Sequence, residues 1–226
     1  MSLRIIIPAG VPRTAIRCLF LTIGTVCLAV YSYAYLERVL YQSFESREFD
    51  RTHSLSAAAL VASSDPITPI VGVGLSPRKS SPMRPPPTAL IGRLSVPRLH
   101  LSAMVREGIG RKSLQLAVGH IPATPLPGQP GNVGVAGHRD TFFRGLKDLR
   151  KNDEIQFSTV NGDFKYAVES LIIVGPDEVG VLAFSSENVL TMVTCYPFYY
   201  VGAAPKRFVV RARQVSPQTA PLPTVE

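Results

Sequence analysis

The order of apolar and polar positions divides the chain into three parts: a long apolar run, a polar stretch rich in proline, and a series of short alternating segments. Cys18 to Leu36 is 19 residues without a charged side chain. At about 1.5 Å per residue such a helix spans roughly 28 Å, near the hydrocarbon thickness of a bilayer. The run has no polar face, which favours a membrane anchor over a buried soluble helix. From residue 90 onward the pattern shortens. Ile91–Val96 reads as a first strand, followed by Ser102–Val105 and Val133–Ala136. Glu154–Ser158 and Phe164–Val168 alternate, and Asn161-Gly162 joins them as a hairpin turn. Leu171–Val174 is short and apolar. Val189–Cys195 reads as a buried strand that Pro197 must end, since proline cannot donate to a ladder. Phe208, Val210 and Ala212 alternate with Arg207, Val209 and Arg211, giving a last strand one core face and one arginine face. Ser113–Val118 predicts a short helix or turn, and Asp140-Thr141 predicts the cap of a short helix over Phe142–Leu149. Residues 119–132 are too rich in proline and glycine for either element and predict a shaped loop. Seven or eight short strands with little helix predict an all-β domain over 90–213, a closed or nearly closed β-barrel.

Charge and aromatic placement orient the apolar run. Residues 1–17 carry Arg4, Arg13 and Arg17 and no acid, whereas acids begin at Glu37. This bias predicts a cytoplasmic N-terminus, a transmembrane anchor over 18–36 and an extracytoplasmic remainder. Tyr31, Tyr33, Tyr35 and Tyr41 cluster at the far end, as an interfacial belt does. Tyr33-Ala34-Tyr35-Leu36 offers no small-x-small cleavage site, so an uncleaved anchor is expected in place of a signal peptide. Residues 37–89 read as a tether: seven prolines fall between Pro66 and Pro87, among many serines. Such a composition predicts a segment too poor in apolar surface to order itself. Residues 214–226 read as a flexible tail with no second apolar span.

The net charge is +8. It is spread along the chain, with 15 Lys and Arg against 10 Asp and Glu in 90–213. No nucleic-acid motif accompanies it, and aromatic and basic residues are not interleaved as a stacking platform needs, so no nucleic-acid partner is expected. Of the three cysteines, Cys18 and Cys27 lie in the apolar run. Cys195 is then the one thiol of the exported part, with no cysteine there to pair with. An exposed thiol in an oxidising compartment is a liability unless it has work to do. The bland alternative is a buried, inert cysteine packed as a small hydrophobe.

Three reactive side chains fall at strand boundaries: Cys195, Arg207 and His138, the last just past Val133–Ala136. These are the parts of a cysteine nucleophile site. A free thiol is only a few per cent thiolate at neutral pH, and a neighbouring cation or imidazolium raises that fraction. His138 has the chemistry to protonate a leaving amine. Arg207 stays charged, so it can stabilise a thiolate or an oxyanion but cannot move a proton. A capping histidine and a salt-bridged arginine are the plain alternatives.

The stretches that join these residues resemble a sortase, most of all the class D group. They are Gly119-His120, Thr124 with Leu126-Pro127-Gly128, Gly131-Asn132, Ala136-Gly137-His138-Arg139-Asp140-Thr141, Thr194-Cys195-Tyr196-Pro197-Phe198, and Val201–Phe208. The resemblance implies an eight-stranded sortase-type barrel preceded by one transmembrane helix. It implies a membrane-anchored cysteine transpeptidase, in the hydrolase class of cysteine peptidases. Cys195 attacks the threonine carbonyl of a Leu-Pro-x-Thr-like sorting signal. His138 protonates the departing amine and later deprotonates the incoming one. Arg207 stabilises the oxyanion, and Thr194 and Tyr196 support substrate and oxyanion. The implied partners are secreted proteins with a C-terminal sorting signal, an amine acceptor of the cell envelope, and the membrane itself. No metal and no organic cofactor is implied. His120 is expected to shape a loop or pocket. The alternatives are a thiol peptidase that hydrolyses the same signal, another thiol acyl transferase, and a non-catalytic envelope peptide-binding domain.

Overall fold

The computed structural model describes residues 12–62 and 85–215. Its eight strands are β1 (Leu90–Val96), β2 (Leu101–Glu107), β3 (Val118–His120), β4 (Asn132–Ala136), β5 (Glu154–Thr159), β6 (Gly162–Val174), β7 (Val189–Tyr196) and β8 (Lys206–Val215). They close into a barrel in the order β1-β2-β3-β4-β7-β8-β6-β5. Closure leaves no strand edge, so Cys195 sits at a strand end but not at the margin of an open sheet. Two neighbouring pairs are parallel, β2 with β3 and β4 with β7, and the others are antiparallel. The crossover from β2 to β3 contains a short helix, Arg111–Leu116.

The alternation read from the sequence fills the barrel. Leu94, Val96, Ile155, Phe157, Val133, Val135, Leu190, Met192, Val210 and Ala212 form one buried cluster. Three elements differ from expectation. β3 takes Val118–His120 from the end of the expected short helix or turn and the start of the expected loop. Leu171–Val174 is not a separate strand; it is the second half of β6, which runs 13 residues and pairs with β8 along most of its length. Residues 142–149 form a turn and a 3₁₀ segment, Arg144–Asp148, with no side-chain cap at its start. The reason is spacing: Phe143, Leu146 and Leu149 are all buried, and an interval of three matches a 3₁₀ turn.

The helix α1 spans Arg13–Ala62 and includes the apolar run. By length and composition it is able to cross a membrane, and its apolar side chains from Leu19 to Leu40 are largely exposed. The expectation of an unordered tether from residue 37 is corrected over 37–62, which is helical. Residues from Gln42 belong to the same compact unit as the barrel. Gln42 donates to the Leu116 carbonyl (2.7 Å) and accepts from the Met104 N–H (2.9 Å). Arg93 of β1 donates to Ser46 Oγ (2.7 Å), pairs with Asp50 (2.8 Å) and lies over the Phe49 ring. Phe49 is only 2% exposed. This segment orders through a polar stripe around one buried aromatic, which an argument from mean apolar content misses. Tether residues 63–84 and tail residues 216–226 lie outside the described residues.

Candidate active site

Strand register brings the reactive residues to one end of the barrel. In the β7–β8 ladder Cys195 stands directly opposite Arg207. In the parallel β4–β7 pair Ala136 lies beside Val193, so the chain leaving β4 emerges at the end where Cys195 sits. The Gly137 N–H donates to the Val193 carbonyl (3.2 Å), and the Thr194 hydroxyl donates to the Gly137 carbonyl (2.7 Å). His138 follows at once. Its own carbonyl accepts from the Phe143 N–H (3.1 Å), which turns the chain back over the core. Glycine is required at 137, because a Cβ there would meet the buried Phe143 ring at 2.7 Å.

His138, Cys195 and Arg207 line one cavity of about 370 Å³, together with Arg139, Asp140, Gly202, Ala203 and Ala204. Cys195 is a free, half-buried thiol. Arg207 donates through Nη1 to the carbonyls of Ala204 (3.1 Å) and Lys206 (3.0 Å). No carboxylate pairs with it among the described residues, so its positive charge is not neutralised by an ion pair. Arg139 ties the two loops of the site together: its Nη2 donates to the carbonyls of Tyr200 (2.7 Å) and Gly202 (3.2 Å). Arg139 was not among the expected site residues. Its place directly after His138 was the available signal.

Two expected supporting residues point elsewhere. Thr194 neighbours Cys195 on a strand, so the two side chains leave opposite faces. The Thr194 hydroxyl is buried on the Gly137 carbonyl and is not presented to the cavity. It ties Gly137, the residue that follows β4, to β7. Tyr196 also faces away from Cys195; its ring stacks on Phe208 (6.4 Å) and meets Phe198 edge-on (6.1 Å). That aromatic cluster packs against the core at the site's end of the barrel.

A larger cavity of about 650 Å³ lies over the start of β4, lined by Glu107, His120, Thr124, Asn132, Leu182 and Phe184 among others. Asn132, Gly134 and Ala136 share one face of β4, and Thr191, Val193 and Cys195 share the adjoining face of β7. A strip of mostly small side chains therefore runs from the thiol toward this cavity. His120 is buried, with Nδ1 2.6 Å from Glu107 Oε2 and Nε2 3.0 Å from both the Pro125 carbonyl and the Thr124 hydroxyl. It lines the large cavity and not the thiol's. No group of three or more metal-ligating side chains occurs among the described residues.

The sortase domain family model matches residues 94–215. Sortase D of Bacillus subtilis is 33% identical over 126 residues, which cover 55% of this chain and 64% of that protein. Sortase SrtE1 of Streptomyces coelicolor is 31% identical over 123 residues, covering 46% of this chain and 35% of that one. The chain thus spans less than two thirds of each of these relatives. Among solved structures, a Clostridium perfringens Sortase D5 transpeptidase superposes with a TM-score of 0.56 at 22% identity, over 79% of this chain and 98% of that one, a likeness of fold. Sortase C1 from Streptococcus agalactiae superposes with a TM-score of 0.52 at 28% identity, over 56% of this chain and 67% of that one. The family match takes in all but the first residues of the barrel, and it includes the cavity that Cys195, His138 and Arg207 share. This chain belongs to the sortase family.

Proposed function

We propose that this chain is a membrane-anchored transpeptidase that cuts a Leu-Pro-x-Thr-like sorting signal after its threonine and transfers the protein to an amine. The observation that carries the reading is the shared cavity of Cys195, His138 and Arg207. The Cys195 sulfur attacks the threonine carbonyl carbon as its proton passes to His138, and the oxygen takes up the negative charge. Arg207, one strand away and free of a carboxylate partner among the described residues, stabilises that oxyanion. His138 gives a proton to the departing amine as the C–N bond breaks, leaving a thioester on Cys195. An incoming primary amine then attacks the thioester carbonyl and yields its proton to His138, and the sulfur departs. The amide forms, the thiol is restored, and no cofactor enters the balance.

The signal lies extended along the small-residue strip formed by Gly134, Ala136 and Val193, with its N-terminal side toward the 650 Å³ cavity. The apolar part of α1 over 18–36 serves as the anchor, its arginine-rich N-terminus cytoplasmic and the barrel outside. Residues 63–89 act as the tether between the docked helix and β1. Secreted proteins bearing the signal and an amine of the envelope are the two substrates.

Incubating the full chain with a Leu-Pro-x-Thr peptide and an amine tests this. Intact-protein mass spectrometry is expected to find a thioester adduct on Cys195 and an amide product, both lost in Cys195→Ala. Binding of the peptide without an adduct makes the domain a peptide-binding module. Hydrolysis that added amine never diverts makes it a peptidase. Either outcome overturns the proposal.

A further inference from the structure

The segment 176–187, which joins β6 to β7, supplies one wall of the 650 Å³ cavity through Leu182 and Phe184. It contains a 3₁₀ turn, Val179–Leu182, and no strand. Its backbone hydrogen bonds are internal or to the end of β6, such as Val179 N–H to the Asp177 carbonyl (2.8 Å) and Ala183 N–H to that of Gly180 (3.0 Å). Bonds of that kind shape a turn but do not fix it to the barrel. One side chain of β4 does. Asn132 Nδ2 donates to the carbonyls of Val181 (3.0 Å) and Ala183 (3.2 Å), the residues on either side of Leu182. Its Oδ1 accepts from the Thr191 hydroxyl of β7 at 2.7 Å. Turning the amide over would set its oxygen against two carbonyls, so the network admits one orientation. Asn132 and Thr191 are both almost wholly buried. Asn132 shares a face of β4 with Gly134. Leu182 rests on that glycine: a Cβ at 134 would stand 3.0 Å from Leu182 Cδ2. Among the described residues, the other side-chain hydrogen bond from the barrel to 176–187 is a long one, Arg211 Nη2 to Ser185 Oγ at 3.4 Å.

We propose that Asn132 is a positioning residue that clamps the β6–β7 segment, with Thr191 orienting its amide, so that Leu182 stands as a preformed wall before the signal arrives. With both ends of its amide engaged inside the protein, Asn132 acts through the wall it holds. A segment that must be ordered on binding lowers affinity by the conformational freedom it gives up, and one ordered beforehand does not. The clamp therefore sets how tightly the N-terminal side of the signal is held. It leaves the reaction at Cys195 alone, because Asn132 and Leu182 line the larger cavity and not the thiol's. The identity of the ligand rests on the transpeptidase reading above; the clamp itself does not.

Two measurements on the detergent-solubilised full chain test it. Asn132→Asp keeps the shape and the acceptor for Thr191 but loses both donors. Thr191→Val removes the orienting hydroxyl at equal size, and Thr191→Ser keeps it. In the first measurement, hydrogen exchange of the peptide-free chain is followed by mass spectrometry. Amides of 176–187 are expected to exchange about tenfold faster in Asn132→Asp, the effect of losing two neutral hydrogen bonds, with β7 and β8 unchanged. Thr191→Val should lie between that variant and wild type, and Thr191→Ser should match wild type. Unchanged exchange in Asn132→Asp overturns the clamp. In the second, acylation of Cys195 is measured against the concentration of a Leu-Pro-x-Thr peptide. Asn132→Asp is expected to raise the half-saturating concentration about tenfold while the maximal rate and the reaction of Cys195 with iodoacetamide stay at wild type. Leu182→Ala should weaken binding by itself, and adding Asn132→Asp to it should change little further. An unchanged half-saturation, fully additive effects, or a joint fall of maximal rate and iodoacetamide reaction overturns the positioning role. If Asn132→Asp does not fold, Thr191→Val carries both measurements. A wild-type chain that the peptide never acylates counts against the transpeptidase reading, and hydrogen exchange then decides the clamp alone.

Discussion

Cys195 and Arg207 are opposite members of one cross-strand pair, the last but one of the β7–β8 ladder. Directly opposed residues of an antiparallel pair hold their Cβ atoms about 5 Å apart, so the guanidinium reaches the thiol's surroundings without any loop having to close. Its hydrogen bonds are local, to the carbonyls of Ala204 and Lys206, so its removal costs the fold little. Arg207→Gln is therefore expected to slow acyl-enzyme formation by about 10²–10³-fold, the effect of losing an oxyanion donor. The thermal midpoint should stay near wild type. Stopped-flow quench of the first half-reaction checks the rate; a loss of midpoint that accounts for the lost rate would argue for a structural arginine.

Thr194 acts on the site through β4. Its buried hydroxyl fixes the Gly137 carbonyl, and Gly137 carries His138. Thr194→Val removes the donor and leaves that carbonyl without its side-chain partner, at an expected cost of about 1 kcal/mol. Turnover should fall through misplacement of the imidazole. Thr194→Ser keeps the hydroxyl and should recover most of both. If the serine variant is as slow as the valine variant, the methyl packing matters and the hydrogen bond does not.

The barrel and the ends of its strands were readable because period-two alternation and proline each act locally. Residues 207–212 alternate apolar with mostly basic positions, Val189–Cys195 is a mostly buried run, and Pro197 stops its strand for a covalent reason. The same alternation already carried the orientation of Thr194: a residue adjacent to Cys195 on a strand must face the other way. The continuity of β6 was hidden, since its second half leaves Ile172 and Ile173 43% and 46% exposed and reads as a fragment. The docked part of α1 was hidden for a different reason. Gln42, Ser46, Phe49, Asp50 and His53 share one helical face, yet four of the five are polar, and their partners are backbone groups, Arg93 and Asp163. A stripe of hydrogen-bonding residues has no hydrophobic period to detect.

That stripe makes residues 42–54 part of the folded domain. Phe49 is almost wholly buried, and Arg93 is held by both Ser46 and Asp50. Phe49→Ala is expected to destabilise the domain by about 3 kcal/mol, as loss of a buried aromatic does. A chain begun at Pro85 should unfold at a lower temperature than one begun at Glu37. Identical thermal midpoints for the two chains would place the helix outside the cooperative unit.

The loop that enters β5 sets an acid limit on stability. Arg98 grips the Asp153 carboxylate with two nitrogens, Nε to Oδ1 at 2.6 Å, and the Arg150 N–H donates to the same carboxylate at 2.7 Å. The Arg98 hydrogen bond, foremost, holds the Asp153 carboxyl below its ordinary range. A carboxylate depressed in the folded state binds its proton more readily when unfolded. Its stabilising contribution is thus complete above about pH 4–5, where the unfolded carboxyl has also ionised. It is lost as the pH falls from there through the depressed folded value. Asp153→Asn should lower the unfolding midpoint at neutral pH, and the gap from wild type should close progressively on acidification. Because the guanidinium is solvated, part of the gap at neutral pH should also shrink with added salt. Urea titrations at a series of pH values below 6 read this directly. A gap that stays constant down the acid limb would mean that Asp153 contributes by its hydrogen bond to Arg150 alone and not by its charge.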